Sequence, residues 1–183
     1  MELTEALRTR RAVREFTAET VDEAVIAELI GAAILAPSAI NLQPWGFTIV
    51  PGSERLHKLS TEAKQHILSH PPTGSPIATY AADPAFDIFH GASALIVISA
   101  VDGKRQSSED CCLAAENFML AAHAKGLGTC WIGLARPWLN EPEVKAELGI
   151  PAEWHPVAPI VLGHPRALPS ATSRHRPKVV WSR

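Results

Sequence analysis

The sequence predicts a mixed chain of α-helices and β-strands folded around one core, and three observations predict it. With 183 residues, 46% of them apolar, the chain can bury one sizeable core but not two, so a single domain over 1–183 is expected. The run Ala94 to Ala100 (ALIVISA) is continuously apolar, as a strand buried on both faces must be. Apolar residues at helical spacing recur between Thr20 and Pro37 and again between Ser108 and Lys125.

Thr20 with Glu23 reads as a capping box opening a helix whose apolar set is Val21, Val25, Ile26, Leu29, Ile30 and Ala33, ended before Pro37. Gly46 to Val50 reads as a strand closed by the turn Pro51-Gly52, and a helix from Ser53 to His70 follows. Residues 71–85, with PPTGSP, carry too many prolines and too little periodicity for a regular element and are expected to form a loop. After the ALIVISA strand, a helix from Ser108 to Lys125 presents Cys112, Ala115, Phe118, Met119 and Ala122 on one face, and Gly126 closes it. GTCWIG (128–133) reads as a strand. Asn140 to Leu148 reads as a short helix capped by Asn140 and closed by Gly149, and Val157 to Leu162 as the last core strand. Beyond Gly163 the prolines exclude a helix and leave either a disordered tail or an extended arm carrying Arg166, Arg174, Arg176 and Lys178.

Charge and composition exclude several classes of function. Charged residues form a fifth of the chain and the net charge is −2, so no global field draws it to nucleic acid or an anionic membrane. MELTEALRTRRAVREF is charged from its second residue and no segment nears the roughly 18 apolar residues of a membrane span, so a cytoplasmic protein is expected. Cys111, Cys112 and Cys130 match neither CxxC nor zinc spacing, and the adjacent pair reads as one buried and one half-buried thiol. Gly126-Leu127-Gly128 lies after a helix and before a strand, the wrong order for a dinucleotide fingerprint. His66 and His70 share a helical face without a third ligand and read as solvent-exposed.

Two segments point to a ligand. Arg8, Arg10, Arg11 and Arg14 crowd seven residues with only Glu5 and Glu15 nearby in sequence, and planar guanidinium donors suit a phosphate, although a charged surface face explains them as well. Ala36-Pro37-Ser38-Ala39-Ile40-Asn41-Leu42-Gln43-Pro44-Trp45 packs hydroxyl and amide groups into a stiff loop, able to hydrogen-bond a heteroaromatic ring or merely its own backbone.

Arg10 to Phe16, Ala36-Pro37-Ser38 through Gln43-Pro44-Trp45, Ala121 to Gly133 and Arg174-His175-Arg176-Pro177 together resemble the nitroreductase family in order and spacing, across essentially the whole chain. The resemblance implies an α+β three-layer sandwich, a mostly antiparallel sheet between helices, in an intertwined homodimer with FMN at the subunit interface. It implies that Arg10, Arg11 and the position of Ala12 hold the FMN phosphate and ribityl chain, with Arg14 at the pyrimidine edge as an electrostatic stabiliser. Arg174 and Arg176 match the basic pair that reaches the phosphate from the C-terminal arm. Pro37, Ser38, Ala39, Asn41 and Gln43 match the loop that reaches FMN from the opposite subunit, and Trp131, Ile132 and Gly133 the segment along the ring. Ala12 departs from the serine common at that position, and the chain lacks room for the extra helical cover of longer members.

The implied activity is a ping-pong transfer of electrons from NADH or NADPH through FMN to a small flat acceptor such as a nitroaromatic or a quinone, with no side-chain nucleophile and no metal. Three alternatives stay open: another flavin chemistry on the same scaffold (dehalogenation, dehydrogenation or flavin destruction), a flavin-binding module without turnover, and an anion-binding protein built on the arginines.

Overall fold

The computed structural model describes residues 1–71 and 77–182. In chain order the elements are α1 (Leu3–Thr9), α2 (Glu23–Ala33), β1 (Trp45–Pro51), α3 (Ser53–Ser69), α4 (Ile77–Ala82), β2 (Ala94–Ala100), α5 (Arg105–Ala124), β3 (Gly128–Trp131), α6 (Arg136–Leu139), α7 (Pro142–Leu148) and β4 (His155–Gly163). Single 3-10 turns lie at Ala39–Asn41 and Gly133–Ala135.

The four strands form one antiparallel sheet in the order β1-β2-β4-β3. β2 is buried at every position, because alternate side chains enter two different cores. Leu95 and Val97 meet Leu56, Leu59 and Ala63 of α3 together with Trp138 and Leu139 of α6. On the other face Ile96 and Ile98 join Ile26 and Leu29 of α2 and Ala115 and Phe118 of α5. Each such aliphatic side chain contributes about 1.5–3 kcal/mol when fully buried. The result is the expected α+β sandwich, with α3, α6 and α7 on one face of the sheet and α2 and α5 on the other.

Six local expectations need correction. The strand expected over 128–133 ends at Trp131, where the Ile132 N–H donates to the Pro159 carbonyl and Gly133 opens a 3-10 turn. The cap of α2 is Asp22, without a side-chain bond, so Thr20 caps nothing. Part of the expected 71–85 loop is helical: α4 occupies Ile77–Ala82 and buries Ala81, a turn too short for periodicity to reveal, while 72–76 lie outside the described residues. α5 begins at Arg105, three residues early, because its first turn RQSS carries no apolar period and the Asp102 carboxylate holds the preceding turn through the Lys104 amide. Within α5 the inward thiol is Cys111, whereas Cys112 is exposed; Ala115, Phe118, Met119 and Ala122 are buried as expected. Asn140 does not cap α7, whose cap is Glu141; its amide instead donates to the carbonyls of Arg136 and Pro156 and ties α6 to β4.

The C-terminus of α5 closes as Gly126 requires. With φ +78 the glycine lets its own N–H reach the His123 carbonyl and the Leu127 N–H reach that of Ala122, turning the chain into β3.

Residues Ala12 to Phe16 lie as a strip on the β3–β4 end of the sheet. Val13 N–H donates to the Thr129 carbonyl at 2.9 Å, Ala12 bridges Thr129, and Phe16 bridges Pro165. The approach is possible because two glycines face it, Gly128 and Gly163, which are opposite each other in the β3–β4 register. A Cβ on Gly128 would stand 2.9 Å from Val13 Cβ, and one on Gly163 would stand 2.8 Å from the Phe16 ring. We predict that Gly128→Ala displaces the strip and costs about 1–3 kcal/mol, the usual cost of overpacking. A urea midpoint equal to that of the parent would refute the close-packing argument.

Candidate functional site

The strip and the two residues before it carry four of the residues singled out by sequence: Arg10, Arg11, Ala12 and Arg14. Arg10 is half-buried and pairs loosely with Glu116 of α5, Nε to Oε1 at 3.5 Å. Arg11 turns back on its own chain, Nη1 donating to the carbonyls of Arg8 at 2.9 Å and Arg10 at 2.6 Å. Its Nε is buried with no acceptor among the described residues, a donor that an anion would satisfy. Val13, between Arg11 and Arg14, is the buried anchor.

Because the strip pairs with β3, it lies beside the end of that strand, where Trp131 is half-buried, Ile132 buried and Gly133 exposed. Ile132 N–H already donates to the Pro159 carbonyl at 2.8 Å. Gly133 opens a 3-10 turn, so its N–H has no acceptor within that turn. Arg14 reaches the same place. Burial raises the Cys130 thiol, and the nearby Arg14 guanidinium works against that rise. Arg14 also faces His90, whose pKa is lowered by burial and then by that positive charge. His90 itself has φ +58, in a turn locked by Asp87, whose two oxygens accept the N–H groups of Phe89 and Gly91 at 2.9 Å each.

The Pro37–Gln43 loop stands elsewhere on the chain. Ala39 N–H donates to both carboxylate oxygens of buried Asp110 at 3.3 Å, and Gln43 N–H to Ser38 Oγ at 2.9 Å. The Ser38 hydroxyl thus accepts from its own loop and keeps its proton and a second lone pair for another partner. Ile40, Asn41 and Gln43 have φ of 44, 59 and 50, and Ile40 is 91% exposed. A β-branched residue in the left-handed region costs on the order of 1–3 kcal/mol, a conformation held here by the Asp110 and Ser38 bonds. The anchors of loop and strip, Asp110 and Glu116, are six residues apart on α5. That is about 9 Å along the axis and about 120° around it.

Arg174 and Arg176 are exposed on a tail without regular structure, and Arg174 bonds to Thr172. They are not brought to Arg10 and Arg11. Asp110, Asp87 and His90 escaped the sequence reading. A helical register drawn on Cys111 instead of Cys112 places Asp110 on the inward side of α5, a signal that was present. Asp87 and His90 stand in no pattern of that kind. Among the described residues no group of three or more His, Cys, Asp or Glu is arranged to hold a metal ion, and no helix is long and apolar enough to cross a membrane.

The model of the nitroreductase family matches residues 7–164, which span the strip, the loop and the whole sheet. The chain belongs to the nitroreductase family. Among its relatives, the 5,6-dimethylbenzimidazole synthase of Rhodospirillum rubrum is 32% identical over 179 residues, covering 86% of this chain and 79% of that protein. A Methanothermobacter thermautotrophicus protein, provisionally named NADH dehydrogenase/NAD(P)H nitroreductase, is 28% identical, covering 92% and 80%. The crystal structure of a nitroreductase with bound FMN from Bacteroides fragilis shares the fold at a TM-score of 0.87 and 23% identity, over 100% of both chains. This nitroreductase-family chain is therefore an oxidoreductase by family, built on the fold of FMN-bound proteins.

Electrostatics around the strip carry a pH signature. The Thr9 hydroxyl donates to the Glu5 carbonyl at 2.7 Å, so the 2.7 Å contact with His123 Nε2 assigns the proton to that nitrogen. Burial, then Arg10 and Arg11, lower the His123 pKa; His90 and His155 are lowered too, burial again first. For depressed histidines the unfolded chain binds more protons. Their stabilisation is complete above the ordinary value of about 6.5 and is lost as pH falls through it toward the folded values. We predict a lower thermal midpoint at pH 5.5 than at pH 7.5, with a smaller difference in His123→Gln; an undiminished difference in that variant would remove His123 from the account.

Proposed function

We propose that this chain is a single-domain, cytoplasmic, FMN-dependent oxidoreductase that passes electrons from NADH or NADPH to a small flat acceptor, a nitroaromatic, a quinone or a similar ring, by a ping-pong mechanism. The observation that carries the reading is the buried Arg11 Nε, unsatisfied among the described residues, next to a strip that sets Arg14 toward the end of β3 at Trp131–Gly133. That donor set fits a phosphate next to a flat ring, and the FMN bound in the Bacteroides fragilis relative supports the choice. When bound, FMN supplies a ring that accepts a hydride and later returns two electrons and a proton.

The chain's own residues have the remaining work. Arg10 and Arg11, with the backbone of Ala12, hold the phosphate and ribityl chain. Arg174 and Arg176 add charge to the phosphate when the exposed arm is in place. Arg14 stabilises negative charge at the pyrimidine edge through its guanidinium, which stays charged at any working pH. Trp131, Ile132 and Gly133 line the ring; with the Ile132 N–H spent on Pro159, Gly133 is the backbone donor left for it. Pro37, Ser38, Ala39, Asn41 and Gln43 serve the site of a partner subunit. Their separate anchor on α5 and the exposure of Leu35 and Ile40, 80% and 91%, support a homodimer.

A second reading is another flavin chemistry on the same scaffold (dehalogenation, dehydrogenation or flavin destruction), favoured by the 32% identity to a 5,6-dimethylbenzimidazole synthase. Flavin destruction consumes the flavin, so flavin absorbance after many donor equivalents separates it from the first reading, and a substrate screen with and without oxygen separates the other two.

We predict that the purified protein shows a flavin spectrum, or takes up added FMN, and that NADH or NADPH bleaches it without oxygen. A colourless protein that fails to bind FMN would end the proposal. In Arg14→Ala the midpoint potential of the flavin should fall by on the order of 30 mV, equivalent for a two-electron couple to about 1.4 kcal/mol, with slower reduction by donor. An unchanged potential would take Arg14 out of the stabilising role.

A further inference from the structure

A cleft of about 900 Å³ opens beside Arg14 and runs to the first turns of α3. Three cations line it: Arg14 on the strip, Arg166 just beyond β4, and Lys58 on α3. Arg166 is delivered there by backbone pairing, because its N–H donates to the Glu15 carbonyl and Thr17 N–H to that of His164, both at 2.9 Å, around the Phe16–Pro165 bridge. None of the three forms an ion pair with a carboxylate among the described residues. Asp87 also lines the cleft as one carboxylate, each oxygen accepting one backbone N–H and Oδ2 lying 4.0 Å from His57 Nδ1. Glu15 and Glu54 add two exposed carboxylates that make no such pairs.

This lining is mixed in sign, and the mixture narrows the ligand. Unpaired guanidinium and ammonium groups donate to phosphate oxygens, while free carboxylates accept from vicinal hydroxyls. A sugar–phosphate offers both partners. A flat nitroaromatic or quinone offers neither, and the volume, near the upper end for small-molecule sites, exceeds the need of one ring.

We infer that this cleft receives the ribose–pyrophosphate part of the nicotinamide dinucleotide donor, whose nicotinamide end reaches past Arg14. The inference rests on the donor reading made above and adds Lys58 and Arg166 as donor-binding residues. Both stand outside the strip, the loop and the β3 segment proposed to hold FMN.

The test uses the FMN-loaded protein and the variants Lys58→Ala and Arg166→Ala. Each should raise the KM for NADH about tenfold, as loss of one charge-assisted contact does, and leave the KM for reduced N-benzylnicotinamide, which has neither ribose nor phosphate, within about twofold of the parent value. ADP-ribose, which carries no hydride, should bind the parent in a calorimetric titration and bind each variant about tenfold more weakly. If neither NADH nor NADPH reduces the parent flavin, the donor reading fails and this inference with it. If the parent is reduced but both variants keep its NADH KM and ADP-ribose affinity, or only the KM for the acceptor rises, the cleft assignment alone is overturned.

Discussion

The close approach of the Val13–Phe16 strip to the paired glycines Gly128 and Gly163 is the contact on which the candidate site depends. Two facing positions without side chains let an N-terminal segment lie directly on β3 and β4. Its backbone then joins the sheet at Thr129 and Pro165. Once that register is set, the arginines have little freedom. Arg10 and Arg11 fall beside α5, Arg14 beside Cys130 and His90, and Arg166 returns to the strip from the far side of β4. Four cations separated by as many as 156 positions in the chain are thus arranged by a few backbone hydrogen bonds, and of them Arg10 alone has an ion pair among the described residues, with Glu116.

Helix α5 is the second organiser, and it acts through polar side chains set along an otherwise apolar helix. Phe118 and Ala122 hold it to the sheet. Asp110 holds the strained loop, Glu116 meets Arg10, and His123 meets Thr9 at the end of α1. One rigid rod therefore positions the two segments that point to a ligand and keeps them apart, which suits a site completed by a second copy. The same arrangement places a histidine between two arginines, so its protonation is opposed by the cluster that makes the site attractive to an anion.

Elements with strong local signals were legible. ALIVISA occupies β2 at the expected residues, α3 ends one residue from its expected limit, and Gly126 and Gly149 close their helices with the positive φ that glycine tolerates. Legibility failed where the signal was polar or short. α4 has six residues, the first turn of α5 is polar, and Asn140 found a better partner in the Pro156 carbonyl than in a helix end. At the site, the arginines and the Pro37–Gln43 loop were visible as chemistry. Their anchors Asp110 and Glu116 were not, because a buried acceptor and a half-exposed acid on a helix look alike until the helix is docked.

By itself the sequence determined most of the elements, their apolar faces, the glycines that close the helices and the residue types available to a ligand. These follow from local propensity and periodicity, which act over a few residues. Tertiary structure alone decided that Gly128 and Gly163 face each other, that Arg11 Nε is buried without an acceptor, and that Arg14, Lys58 and Arg166 share one cleft. Each depends on strand register and on packing between segments far apart in the chain, and periodicity within a segment carries no information about either.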